Sequence, residues 1–149
     1  MPAITFKATS RKLPEGMVVE SESRGFKVIM DEPRNLGGTD KGMNPVEMLL
    51  CSLGSCITIV ASFFAKEAGV DLKDFRVELE GDLDPAGFMG KGTARPGFME
   101  IRYKMYIKSD SPTENVEKLM EIIKSRCPVG DSLNNGVKLT PVGYQIEKG

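Results

Sequence analysis

At 149 residues, 40% of them apolar and 28% charged, the chain is long enough to bury a core without disulfides or a structural metal, and a single domain over 1–149 is expected. Twenty basic residues against twenty-one acidic ones leave a net charge of -1, which is not the electrostatic footprint of a nucleic-acid binder. With no histidine there can be no Ser-His-Asp triad, Cys-His pair or His-containing zinc site, and three cysteines cannot supply an all-cysteine zinc centre.

The start, MPAITFKATSRK, lacks the charged and apolar regions of a secretory signal, so a cytoplasmic location is expected, with the cysteines beginning as thiols. The N-terminal third reads as strands: AITFKAT and GMVVESES around the turn RKLPEG, then GFKVIMD, where Phe26, Val28 and Met30 alternate with Lys27 and Asp31. EPRNLGGTDKGMN is rich in turn formers and reads as a loop.

A long helix follows, roughly Pro45 to Ala68. Asn44 suits the N-cap, Pro45 the first helical position, and Glu47 the third, from which it can fold back on the cap. Leu49, Leu53, Cys56, Ile57, Val60 and Phe64 keep a helical period, while Met48, Leu50, Ile59 and Phe63 make the remaining faces apolar, predicting a buried helix. Met48 to Ala65 carries no charge and is at the lower limit for a membrane span. Five of those residues are Ser, Thr or Gly, and the run ends in AKEAG. A core helix enclosed by sheets or by a second subunit, not a membrane helix, is expected.

KDFRVELEGDL and GFMEIRYKMYIKS alternate as strands, with Phe75, Val77 and Leu79, then Phe98, Ile101, Tyr103, Met105 and Ile107 at the apolar positions. DPAGFMGKGTARP joins them as the long tip of a hairpin. Ser111, Pro112 and Glu114 suggest a capped second helix with Val116, Leu119, Met120 and Ile123 on one face, stopped by Pro128. A short helical PVGDSLN and a final strand, VKLTPVGYQIEK, complete an α+β pattern of segregated strands and helices.

The cysteines differ in setting. Cys56 lies about 18 Å from the start of its helix at 1.5 Å per residue, too deep for the helix dipole to acidify it, and could be simply a small buried hydrophobe. Cys127 precedes Pro128 and follows Arg126, so a helix N-terminus and a cation would both lower its pKa, unless it serves only as an N-cap. Cys51 sits about 140° round the helix from Cys56, too far for an intrahelical disulfide, and reads as structural.

The stretch LGGTDKGMNPVEMLLCSLGSCITIV, followed by CPVGDSL, resembles the OsmC/Ohr family of hydroperoxide-reducing proteins, especially its OsmC-like branch. The resemblance covers nearly the whole chain. It implies an intertwined homodimer with antiparallel sheets around a long central helix, and a cysteine peroxidase needing no cofactor. By that likeness Cys56 attacks an organic hydroperoxide and becomes a sulfenic acid, Cys127 condenses with it to a disulfide, and an external dithiol reduces the bridge.

Hydroperoxide-reducing members carry a Glu directly after Asn-Pro, a position held here by Val46, with Glu47 one place later. On a straight helix Glu47 points roughly opposite to Cys56, which favours capping over catalysis. The arginine that holds the thiolate would be Arg11, with Arg24 as the competitor. A second possibility keeps the fold and both thiols but makes the protein a small-molecule-binding or redox-sensing dimer with little peroxide turnover.

Overall fold

The computed structural model describes residues 1–149 as two compact units, Met1–Ser52 and Leu53–Gly149. In the first, strands β1 (Thr9–Lys12), β2 (Val19–Ser23) and β3 (Phe26–Met30) form an antiparallel meander in the order β1-β2-β3. Arg24 and Gly25 both take positive φ, 54° and 87°, between the paired Ser23 and Phe26. Such a two-residue turn twists the same way as the strands it joins.

Asp31 organises the loop after β3. It is 2% exposed, and its carboxylate accepts hydrogen bonds from Glu32 N–H (2.8 Å), Thr39 N–H (3.1 Å), Thr39 Oγ1 (2.5 Å) and Lys41 N–H (3.2 Å). The Thr39 hydroxyl first, and then the three amides, outweigh burial and bring its pKa down to about 2. Gly38 and Gly42 belong to this loop, where a Cβ would collide with the carbonyls of Glu32 and Ile29.

Helix α1 (Pro45–Phe64) starts in this unit and continues into the next. Its beginning is a reciprocal cap: Glu47 N–H donates to Asn44 Oδ1 at 2.9 Å, and Asn44 N–H donates to Glu47 Oε1 at 3.1 Å. Beyond Phe64 the chain makes one more irregular turn, closed by Gly69 at φ 75° and by Val70 N–H donating to Ala65 O at 2.8 Å. That pattern is a Schellman stop, and it places the helix end within a few residues of the expected one.

The second unit holds the main core. Strands β4 (Asp74–Leu83) and β5 (Phe98–Lys108) form a long antiparallel hairpin with a short helix α2 (Pro85–Phe88) in its tip. Phe75, Val77, Leu79, Ile101 and Met105 pack from the hairpin onto Leu53, Ile57, Val60 and Ala61 of α1. A register shift beside Leu83 pairs it with Phe98 and leaves Met99 unmatched. That extra residue lets Phe98 and Ile101, three apart, both turn partly inward. Gly54 lets the sheet close on α1: a Cβ there would lie 2.8 Å from Leu79 Cδ1.

Helix α3 (Thr113–Arg126) buries Leu119, Ile122 and Ile123, and α4 (Pro128–Asn135) follows it with only Cys127 between. Proline at 128 forces that break, because the residue before a proline avoids helical ψ, and Cys127 is extended at φ -76°, ψ 109°.

Four expectations are corrected. Ser111 does not cap α3: its Oγ accepts from Asp71 N–H at 2.8 Å, and no side chain caps the helix, which begins after Pro112. The first strand starts at Thr9 rather than Ala3 and includes Arg11 and Lys12 of the expected turn. The final strand does not form. Residues 136–149 are exposed and without regular structure, since a strand needs a ladder partner and no strand of the chain pairs with them. Finally, α1 is buried on one face only, and Ile59 and Phe63 stand 67% and 77% exposed.

Candidate active site at Cys56 and Cys127

Cys127 is 5% exposed and belongs to the core cluster of Leu53, Ile57 and Ile123, with the partly buried Cys56 packed against the same cluster. The Cys56 sulfur is near enough to Cys127 to influence its protonation. Local sequence explains the meeting. Cys56 stands among the small residues that allow close packing on α1, while the Pro128 break turns the chain so that the Cys127 side chain caps α4, its Sγ accepting from Gly130 N–H at 3.4 Å.

Burial pushes the Cys127 thiol up, and the neighbouring Cys56 sulfur adds to the rise, while the amides of Gly130 and Val129 oppose it. The net direction is opposite to the lowering expected from Arg126 and the helix N-terminus. The amides are where the sequence implied, but desolvation is the larger effect. Arg126 points elsewhere, its guanidinium 4.5 Å from the Phe64 ring centroid and 3.4 Å from the Glu67 carboxylate. Two thiols thus border one buried cluster, and Cys127 is held toward its protonated form.

The remaining candidates belong to the Met1–Ser52 unit. Cys51 is exposed, with its Sγ 3.8 Å from Met43 Sδ. Glu47 caps α1, and Arg11 lies on β1 opposite Glu20, exposed and without an ion pair. Both belong to the Met1–Ser52 unit, whereas Cys56 and Cys127 belong to Leu53–Gly149. Arg24 sits in the β2–β3 turn with its guanidinium 5.2 Å from the ring centroid of Phe26.

Two features were not anticipated. Gly130 contributes the amide that caps Cys127, and the Cys-Pro-x-Gly order was the available signal, because proline at a first helical position implies a cap before it and a donor two residues after it. A cavity of about 630 Å³ borders Cys127 but not Cys56, with Leu53, Ile57 and Ile123 in its wall. No short motif encodes it, because its walls come from α1, β5, α3 and α4 together.

Residues 38–142 match the family described as OsmC-like protein. Among individual proteins, the chain is 26% identical over 121 residues to the uncharacterized protein YmaD of Bacillus subtilis, spanning 79% of this chain and 78% of that one. Its fold is similar to the OsmC-like protein of Mycoplasma pneumoniae, with a TM-score of 0.77 at 19% identity and 89% of each chain covered. It is also similar to an organic hydroperoxide resistance protein of Elizabethkingia anophelis, with a TM-score of 0.66 at 18% identity and 91% of each chain covered. With the family match running over most of its length, from the glycine-rich loop past both thiols, this chain belongs to the OsmC-like protein family.

Proposed function

We propose that the protein is a thiol-dependent peroxidase that reduces organic hydroperoxides to alcohols, and that it works as a homodimer. The observation that carries this proposal is the packing of Cys56 against the buried cluster that holds Cys127. The likeness to organic hydroperoxide resistance proteins supports it at the level of the fold.

In the first step the Cys56 thiolate attacks the distal oxygen of the hydroperoxide. The S–O bond forms, the O–O bond breaks, and the alkoxide leaves as the alcohol after taking a proton. Cys127, kept protonated by burial, is the source of that proton. The Cys127 thiolate left by that transfer then attacks the Cys56 sulfur, forming the S–S bond and breaking the S–O bond; the hydroxide that leaves takes a proton from solvent to become water, and an external dithiol returns both thiols to the reduced state.

Arg126, the cation nearest Cys127 in sequence, is engaged by Phe64 and Glu67. Arg11, exposed and unpaired, is proposed to supply the charge that holds the thiolate, since a guanidinium stays protonated when buried. Glu47 is proposed to act through the helix cap. The second subunit would cover the apolar face of α1 that carries Ile59 and Phe63.

The test is a thiol count on reduced protein given stoichiometric cumene hydroperoxide or hydrogen peroxide. Loss of two thiols per chain, faster with the organic peroxide and absent in Cys56→Ser, is the expected result. Oxidation that spares Cys56 would overturn the proposal.

A further inference from the structure

We propose that the tip of the β4–β5 hairpin docks the protein on an anionic lipid bilayer, with Phe88 and Met89 entering the interface and Lys91 and Arg95 meeting the headgroups. This goes beyond the peroxidase reading and does not rest on it.

Asp84 to Gly97 join the two strands beyond their last paired residues, Leu83 and Phe98. Hydrogen bonds give this tip a fixed shape. Asp84 Oδ1 accepts from Ala86 N–H at 2.9 Å, Met89 N–H donates to Pro85 O at 3.1 Å, and Lys91 N–H returns to Ala86 O at 2.9 Å. The chain then passes back over α2 so closely that a Cβ on Gly87 would lie 2.3 Å from Arg95 O. Lys91 and Arg95 are thereby held beside α2, which ends in Phe88 with Met89 next to it.

Phe88 is 81% exposed and Met89 60%, so the protein's own core uses neither. Lys91 and Arg95 are exposed as well, and neither forms an ion pair. Asp84 is the only acid in the tip, and the α2 cap occupies its carboxylate. Glu80, Asp82 and Glu100 lie on the strands behind it, where Arg102 pairs with all three. With unpaired cations at the far end and the acids behind them, an anionic surface attracts the hairpin end-on and repels its sides.

Bulky apolar side chains flanked by cations are the chemistry of interfacial anchoring: the apolar groups enter the acyl boundary while the long stems of Lys and Arg reach the headgroups. A second protein is a poorer occupant. One Phe offers about 150–250 Å², and with one Met beside it the tip stays far below the roughly 800 Å² per partner of a stable protein interface.

The chain has no tryptophan, so Phe88→Trp places a single fluorescent reporter at the tip. The full reduced chain is mixed at low salt with vesicles of phosphatidylcholine, alone or with phosphatidylglycerol. The reporter's emission is expected to shift to the blue with the anionic vesicles only, to be quenched by brominated acyl chains, and to return in high salt. In cosedimentation with the same anionic vesicles, Lys91→Gln and Arg95→Gln should each weaken binding about fivefold, and Phe88→Ser at least about tenfold. Cys56→Ser should abolish peroxide reduction yet bind vesicles as the parent does, so the two proposals can fail separately. No binding, equal binding to neutral and anionic vesicles, binding without a shift of the reporter, or binding indifferent to both Gln substitutions would each overturn the docking surface. If Phe88→Ser instead changed the sedimentation mass of the vesicle-free protein, the tip would be a subunit contact and the bilayer proposal would fall.

Discussion

Asn44 and Glu47 cap one another across the first turn of α1, each side chain accepting the other's backbone N–H, at 2.9 and 3.1 Å. Asn44 is held in turn by Glu32, whose carboxylate accepts from its Nδ2 at 3.1 Å. The geometry satisfies two of the amides that a helix start leaves open.

Asn44→Ala should therefore cost about 0.5–2 kcal/mol of stability in urea unfolding, and Glu47→Ala less, since the Asn44 side chain can still accept one amide. If Glu47 is only a cap, peroxide reduction by folded Glu47→Ala protein should stay within about twofold of the parent, far short of a general acid–base contribution of about 10²–10⁴. A large rate loss with little change in unfolding would place this carboxylate in the chemistry instead.

Asp31 offers a pH test. Its folded pKa, about 2, lies below the ordinary carboxylate value of about 3.9, so the stability it contributes is present above that value and is lost as pH falls through the folded one. Asp31→Asn keeps the shape but removes the charge that four donors share. The variant should melt lower than the parent at pH 7, by a shift on the order of 5 °C. The difference should shrink between about pH 4 and pH 2. A gap unchanged across that window would mean that the loop does not depend on the ionised carboxylate.

How far these features could be read from sequence depended on the range of the interaction. The α1 cap was legible because Asn44, Pro45 and Glu47 are neighbours and the rule linking them is local. The hairpin from Asp74 to Lys108 was legible because two alternating stretches flank a glycine-rich tip. Ser111 looked like Asn44 in sequence, but a distant partner, the Asp71 amide, claimed its hydroxyl. Arg126 looked like a partner for Cys127 because it is adjacent, yet adjacent residues in a helix point in different directions and the Phe64 ring captured it. The meeting of Cys56 with Cys127 came from family likeness, since nothing local relates residues seventy apart.

Gly54 tests the packing that brings the hairpin onto α1. A methyl at this position gains helix propensity of about 1 kcal/mol but meets Leu79 Cδ1 at 2.8 Å, the end of a side chain that can move. Gly54→Ala should accordingly change stability little, whereas Gly54→Val, with more volume to place, should cost about 1–3 kcal/mol. Adding Leu79→Ala to Gly54→Val should recover part of that loss. Strictly additive effects in this double-mutant cycle would argue against the contact.

The raised pKa of Cys127 sets its reactivity. A thiol kept protonated by burial reacts with iodoacetamide only in proportion to its small thiolate fraction, so its alkylation at pH 7.5 should be much slower than that of exposed Cys51. The sign carries into stability as well. The unfolded chain loses this proton first, so stability from the buried neutral thiol is full below the ordinary thiol value and declines as pH rises past it. Cys127→Ala should abolish that alkaline decline and, if the roles are as proposed, should still permit one oxidation of Cys56. Unfolding curves with the same pH dependence in parent and variant would show that the decline has another origin.

The exposed side of α1 is the sharpest test of assembly. Ile59 and Phe63 are one turn apart on one helix face and stand 67% and 77% exposed, while Leu53, Ile57, Val60 and Ala61 fill the opposite face with the protein's own core. Single exposed apolar residues are ordinary, and the bulky pair on this helix face is where the proposed second copy would pack. Beyond α4, Val137, Leu139, Val142, Tyr144 and Ile146 are also exposed on a segment without a strand partner. Both features are explained if a second copy packs on α1 and supplies the missing neighbour for the tail. Sedimentation equilibrium of the parent should then give twice the chain mass, and Ile59→Asp with Phe63→Asp should give the chain mass while keeping the helical circular dichroism signal. Because both substitutions lie on the exposed face, they should leave the intrachain meeting of Cys56 and Cys127 intact, and slow oxidation could still join them. A parent that sediments as a single chain over a wide concentration range would remove the homodimer from the proposed mechanism.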